Sequence, residues 1–78
     1  MISQHLIDSL DRYVQHRIPP GGFLTSVLEN NLVGAVGKAD FENQRNLVAI
    51  CDYVYNQLPS TCWGSKEKVR EWLGGKDA

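Results

Sequence analysis

Apolar residues recur along this chain at three- and four-residue intervals, and no stretch alternates apolar with polar residues beyond chance. That spacing matches the α-helix and excludes a sheet built from half-buried strands. In the first stripe Ile2, Leu6, Ile7, Leu10, Tyr13 and Val14 fall within an arc of about 140° at ~100° per residue. Asp8, Asp11, Arg12 and Gln15 take the opposite side, and Ser3 is a fitting N-cap for a helix running to about His16.

Pro19-Pro20-Gly21-Gly22 then ends this helix. A proline disfavours helical geometry in the residue before it, so Ile18 is expected outside the helix. A second helix is predicted from about Phe23 to Ala39, with Leu24, Val27, Leu28, Leu32, Ala35, Val36 and Ala39 as its apolar stripe. Asn30-Asn31, Gly34 and Gly37 argue for a break or kink. Because the stripe keeps its phase across the two asparagines, one continuous helix is the favoured reading, with Asn31 inside the stripe. The alternative has Asn31 capping a separate segment.

The third helix starts at its N-cap Asp40 and stops before Pro59. Leu47, Val48, Ile50, Cys51, Val54, Tyr55 and Leu58 cover an arc of about 160°, which places Tyr55 in the core and Tyr53 off the arc. Ser65 is expected to cap a short last helix, with Val69, Trp72 and Leu73 facing inward and Gly74-Gly75 ending it. The expected fold is all-α, a small bundle of three main helices plus a short C-terminal helix. Residues 1–78 are read as one helical domain, with 76–78 frayed.

Composition narrows the functional classes. Eight basic and nine acidic residues give a formal net charge of −1. A nucleic-acid binder normally needs a basic excess, and here only Lys66, Lys68 and Arg70 lie close together. Nucleic acid is therefore not an expected partner. No run approaches the ~18–20 apolar residues of a membrane span, and the N-terminus lacks the pattern of a signal peptide. The expected location is the cytosol of the cell that makes the chain, where Cys51 and Cys62 stay reduced. No cofactor or metal is expected, because the chain has no CxxC pair and no histidine at ligand spacing from a cysteine.

Catalysis is not expected either. His5 and His16 are three turns apart on one helix, and Asp8 and Asp11 read as exposed carboxylates without a pocket. Binding chemistry is better represented. Gly21 and Gly22 precede a helix start, where free backbone N–H groups suit an anion, and Trp63-Gly64-Ser65 does the same before the last helix. Arg12 and Arg17 supply charge, while Tyr13 and Trp63 offer rings for stacking. The candidate ligand-binding set is thus Arg12, Tyr13, Arg17, Gly21, Gly22, Asn31, Trp63 and Ser65. Each also has a purely structural reading, as turn glycines, helix caps or core aromatics.

Arg12-Tyr13-Val14, Pro20-Gly21-Gly22-Phe23-Leu24, Val27-Leu28-Glu29-Asn30-Asn31-Leu32, Ala39-Asp40 with Asn43, Tyr55-Asn56, Pro59 and Cys62-Trp63-Gly64-Ser65 follow one another in order. This series resembles a family of small tailed-phage and prophage accessory proteins, over roughly residues 10 to 73. The resemblance carries no reaction with it. It implies a role against bacterial immunity, in one of two ways. The first is an oligomeric sponge that sequesters a phosphorylated messenger, a cyclic oligonucleotide or an ADP-ribose derivative. The second is a protein-binding inhibitor of a host defence or regulatory protein, as anti-CRISPR proteins are. The sponge is the favoured reading, the resemblance implying the cytosol of a bacterial host, and a homo-oligomer is expected in any case, with Gly34 and Gly37 allowing close helix approach.

Overall fold

The computed structural model describes residues 2–74, of which 68% are helical and none lies in a strand. The protein is all-α. Its helices are α1 (Gln4–His16), α2 (Gly22–Leu28), α3 (Leu32–Lys38), α4 (Phe41–Arg45), α5 (Leu47–Gln57) and α6 (Lys66–Trp72). The fraying expected for residues 76–78 lies outside the described residues.

Polar side chains start four of these helices by taking up backbone N–H groups that have no partner within the helix. Ser3 accepts from the Leu6 N–H, Asn31 from Gly34, Asp40 from Asn43 and Ser65 from Lys68. α1 ends at Arg17, whose N–H donates to the Tyr13 carbonyl at 3.1 Å and whose left-handed backbone (φ 58°) turns the next N–H, that of Ile18, back to the Arg12 carbonyl at 3.4 Å. Pro19 and Pro20 follow, and Gly21, at φ 96°, leads into α2.

The continuous second helix is not formed. The chain breaks after Leu28, Asn30 turns to a left-handed φ of 64°, and Asn31 starts α3 as its cap. The stripe's unbroken phase was misleading for a physical reason. Beyond the break only Ala35 is buried, whereas Leu32 and Val36 are exposed. No apolar contact therefore outweighs the turn chemistry of the asparagine pair. Gly34 also has a local explanation. A Cβ at Gly34 would lie 2.5 Å from the Asn31 Nδ2, so the glycine makes room for the cap. A second, softer break at Asn46 divides the expected third helix into α4 and α5.

The core gathers Leu10 and Tyr13 of α1, Leu24, Val27 and Leu28 of α2, Ile50 and Val54 of α5, and Val69 of α6. Ala35, Leu58 and Cys62 complete it. α2 packs along α3, and it also meets α6. The loop before α6 is fastened to the end of α2, where the Gly64 N–H donates to the Leu28 carbonyl at 2.7 Å.

On α5 the sequence expectation needs correction. Tyr55 (71% exposed) and Val48 (84%) face outward, while Tyr53 packs against the core. An arc of about 160° is wider than the strip one neighbouring layer covers, so one edge had to remain open. That edge carries Val48, Cys51 and Tyr55, which share one side of the helix at i, i+3 and i+7.

Candidate functional site

The residues picked from the sequence do not converge on one place. Tyr13 is fully buried, and its O–H donates to the Cys62 carbonyl at 2.7 Å. Burial pushes its phenol far above the ordinary tyrosine range, with the neighbouring Cys62 adding to the shift. It serves as a neutral packing group that holds the loop before α6. Trp72 approaches the same helix from the C-terminal side. Its Nε1–H donates to the Tyr13 carbonyl at 2.9 Å, and its ring centroid lies 6.4 Å from that of Tyr13.

Arg17 is already engaged. Its guanidinium carbon sits 3.7 Å from the Trp72 ring centroid, and Nη1 donates to the Trp72 carbonyl at 2.9 Å. The cation thus lies against the indole face and against the negative end of α6, and both contacts are attractive. Arg12 is exposed and reaches Ser9 Oγ at 3.3 Å.

The two glycine-rich turns lie at opposite ends of α2. Gly22 begins that helix, whereas Gly64 is bonded to Leu28 at its end. Seven residues at ~1.5 Å each keep them roughly 10 Å apart. Gly22 has the aliphatic stem of Lys38 beside it, and the Lys38 ammonium donates to Ser26 Oγ at 3.1 Å. Asn31 and Ser65 act as helix caps, with their oxygens accepting at 3.1 Å each.

Of the eight residues, Trp63 lines a well-formed cavity, and the other seven do not line this one. The cavity measures about 210 Å³ and is walled by Val27, Leu32, Cys51, Val54, Tyr55 and Trp63, with Asn30 contributing a polar edge. Trp63 is half-buried and holds its ring edge-to-face with Tyr55, at a centroid distance of 5.9 Å and 65° between planes. Its Nε1–H donates to the Leu58 carbonyl at 3.4 Å. Burial pushes the Cys51 thiol above its ordinary value, so at neutral pH this wall is uncharged.

Outside the cavity further apolar side chains are exposed on α3 and α5, with the exposed Asp52 one turn after Val48. Leu32, Val33 and Val36 are exposed on α3, and Val48 lies on the α5 stripe that leads to Tyr55. Sequence reasoning missed this face because Tyr55, Val48 and Leu32 had been assigned to core stripes. The available signal was the absence of charge from residues 30–37 and 46–51. Among the described residues, no group of three or more His, Cys, Asp or Glu could hold a metal ion. Likewise, no helix there is long and apolar enough to cross a membrane.

Comparison with protein-family models, with curated proteins and with solved structures finds no match to this chain.

Proposed function

We propose that this chain is a non-enzymatic binding protein that recognises another protein through the apolar face formed by α3, α5 and the Tyr55–Trp63 cavity. In the phage setting that the sequence resemblance implies, the partner is a host defence or regulatory protein that the chain inhibits by contact. One observation carries the reading. An uncharged cavity with two aromatic rings lies beside exposed Leu32 and Val48, and that combination suits an apolar anchor side chain on a partner.

The messenger-sequestering reading ranks second. The Tyr55–Trp63 pair offers a stacking surface for a base. Phosphates, however, would find no cation on the cavity wall, and Arg17 is engaged with Trp72. The cavity volume of about 210 Å³ is also below the ~300–1,000 Å³ usual for small-molecule sites.

Expression in defence-bearing bacteria, with phage plating as the readout, tests the choice. Inhibition of defence by contact should be lost in Val48→Glu and Tyr55→Arg and kept in Arg12→Ala. The opposite pattern, together with a rise in melting temperature on adding cyclic oligonucleotides, would replace this reading with the messenger one.

A further inference from the structure

Two of the helices are too short to stand by themselves. α3 has seven residues, among them Gly34 and Gly37, and α4 has five. An isolated helix below roughly 12–15 residues is marginal in water, and glycine weakens it further. Packing must therefore hold both helices, and here it is thin. Among the described residues from 32 to 45, Ala35 alone is buried. Leu32 and Val36 are nearly half-exposed, and Phe41 is 74% exposed. α2 is as short as α3 but buries Leu24, Ser26, Val27 and Leu28.

The polar contacts of this segment bind it to itself. Asn31 and Asp40 cap its two helices, and Gln44 Nε2 donates to the Val36 and Ala39 carbonyls at 3.3 and 3.5 Å, which joins α4 to α3. Towards α2 it extends Lys38, whose ammonium donates to Ser26 Oγ at 3.1 Å. Ser26 is 1% exposed, so the lysine satisfies a hydroxyl that is out of reach of solvent. At either end the chain turns at an asparagine, Asn30 with φ 64° and Asn46 with φ −102° and ψ 10°. A few residues at element ends are what a hinge needs.

We propose that residues 32–45 form a strap that opens as one unit, hinged at Asn30-Asn31 and at Asn46 and latched by Lys38 on Ser26. Little apolar area is surrendered when it lifts, and the exposed Lys38, Asp40, Glu42 and Arg45 are hydrated in both forms. Leu32 leaves the cavity wall with the strap. Val27, Cys51, Val54, Tyr55 and Trp63 stay behind as an open groove on α2, α5 and the loop before α6. The inference rests on the reading of this cavity as the working surface and adds a gate to it. The closed chain offers about 210 Å³, and the opened chain admits a larger anchor.

Native-state hydrogen exchange of the full chain, followed by NMR, tests this without any partner. Phage plating with Tyr55→Arg decides the functional reading separately. The Ala35 and Gln44 amides are bonded to the Asn31 and Asp40 carbonyls, and helices this short unravel once lifted. Corrected for intrinsic rates, both should exchange at least about tenfold faster than Leu10 and Val54. Lys38→Met keeps the aliphatic stem beside Gly22 but loses the bond to Ser26. It should speed Ala35 and Gln44 by one common factor, about two- to tenfold. Tyr13→Phe removes a bond that survives the opening, so it should speed Leu10 and Val54 and leave Ala35 and Gln44 unchanged. The strap is overturned if Ala35 and Gln44 are protected as strongly as Leu10 and Val54, or if Tyr13→Phe speeds all four. It is overturned equally if Lys38→Met speeds neither amide of the segment, or one without the other.

Discussion

Arg17→Ala distinguishes a structural arginine from one reserved for a ligand. In the fold its guanidinium covers the Trp72 ring at 3.7 Å and donates to the Trp72 carbonyl at 2.9 Å. An exposed cation–π contact contributes about 0.5–1 kcal/mol. A partly solvated hydrogen bond to the end of a helix adds about 0.5–1.5 kcal/mol. Alanine inherits the left-handed backbone of position 17, at φ 58°, without relieving it. The substitution should therefore lower stability by about 1–2.5 kcal/mol. For a domain of this size that is roughly 5–15 °C in melting temperature, read by circular dichroism. Arg17→Gly loses the same contacts but accepts the positive φ freely, recovering about 1 kcal/mol. Glycine should therefore be the less damaging of the two. If Arg17→Ala melts with the wild type, the clamp contributes nothing and the side chain is free to serve a ligand. If glycine proves worse than alanine, the backbone part of the argument fails.

Three further outcomes follow from the geometry. Tyr13→Phe leaves the buried Cys62 carbonyl without its 2.7 Å donor and should cost about 1–3 kcal/mol by urea titration, whereas Tyr53→Phe should stay within about 0.5 kcal/mol. Gly34→Ala should gain little in the wild type, because its Cβ displaces the Asn31 cap, yet stabilise an Asn31→Ala background by about 1 kcal/mol through helix propensity. Burial raises Tyr13, Cys51 and Cys62 above their ordinary values, so the folded state favours their neutral forms. That stability is fully present below the ordinary thiol value of 9.0 and is lost as pH rises beyond it, so melting temperature should fall between about pH 8.5 and 10.5. A flat profile across that range contradicts the assignment.

Local chemistry was readable from the sequence, and long-range pairing was not. Ser3, Asp40 and Ser65 act as caps where their residue types and positions predicted. Pro59 lies just past the end of α5, as its missing N–H requires. The break at Asn30-Asn31 is visible as residue types, but it is masked by a periodicity that continues past it on Leu32 and Val36, which are exposed. The break at Asn46 has no glycine or proline to announce it. Which edge of the α5 stripe is covered depends on what packs there, and periodicity does not carry that information. The cavity joins residues from 27 to 63, and the Arg17 contact spans 55 positions. Trp63 was recognisable as a candidate, but its partner Tyr55 was concealed by having the spacing of a core residue.

The attachment of α1 to Trp72 also bears on the order in which the protein matures during synthesis. Tyr13 receives the Trp72 N–H across 59 positions and reaches Cys62 across 49. α1 is thus fastened only after Trp72 has been made, 59 residues later in synthesis. At roughly 5–20 residues per second the interval lasts several seconds, during which the apolar side of α1 has only part of its covering. A chain cut short before Trp72 would remain in that unfastened state, with Arg17 and the Tyr13 carbonyl deprived of their partner. A premature stop at residue 72 should therefore disable α1, far from the lesion in sequence, and expose the chain to proteolysis.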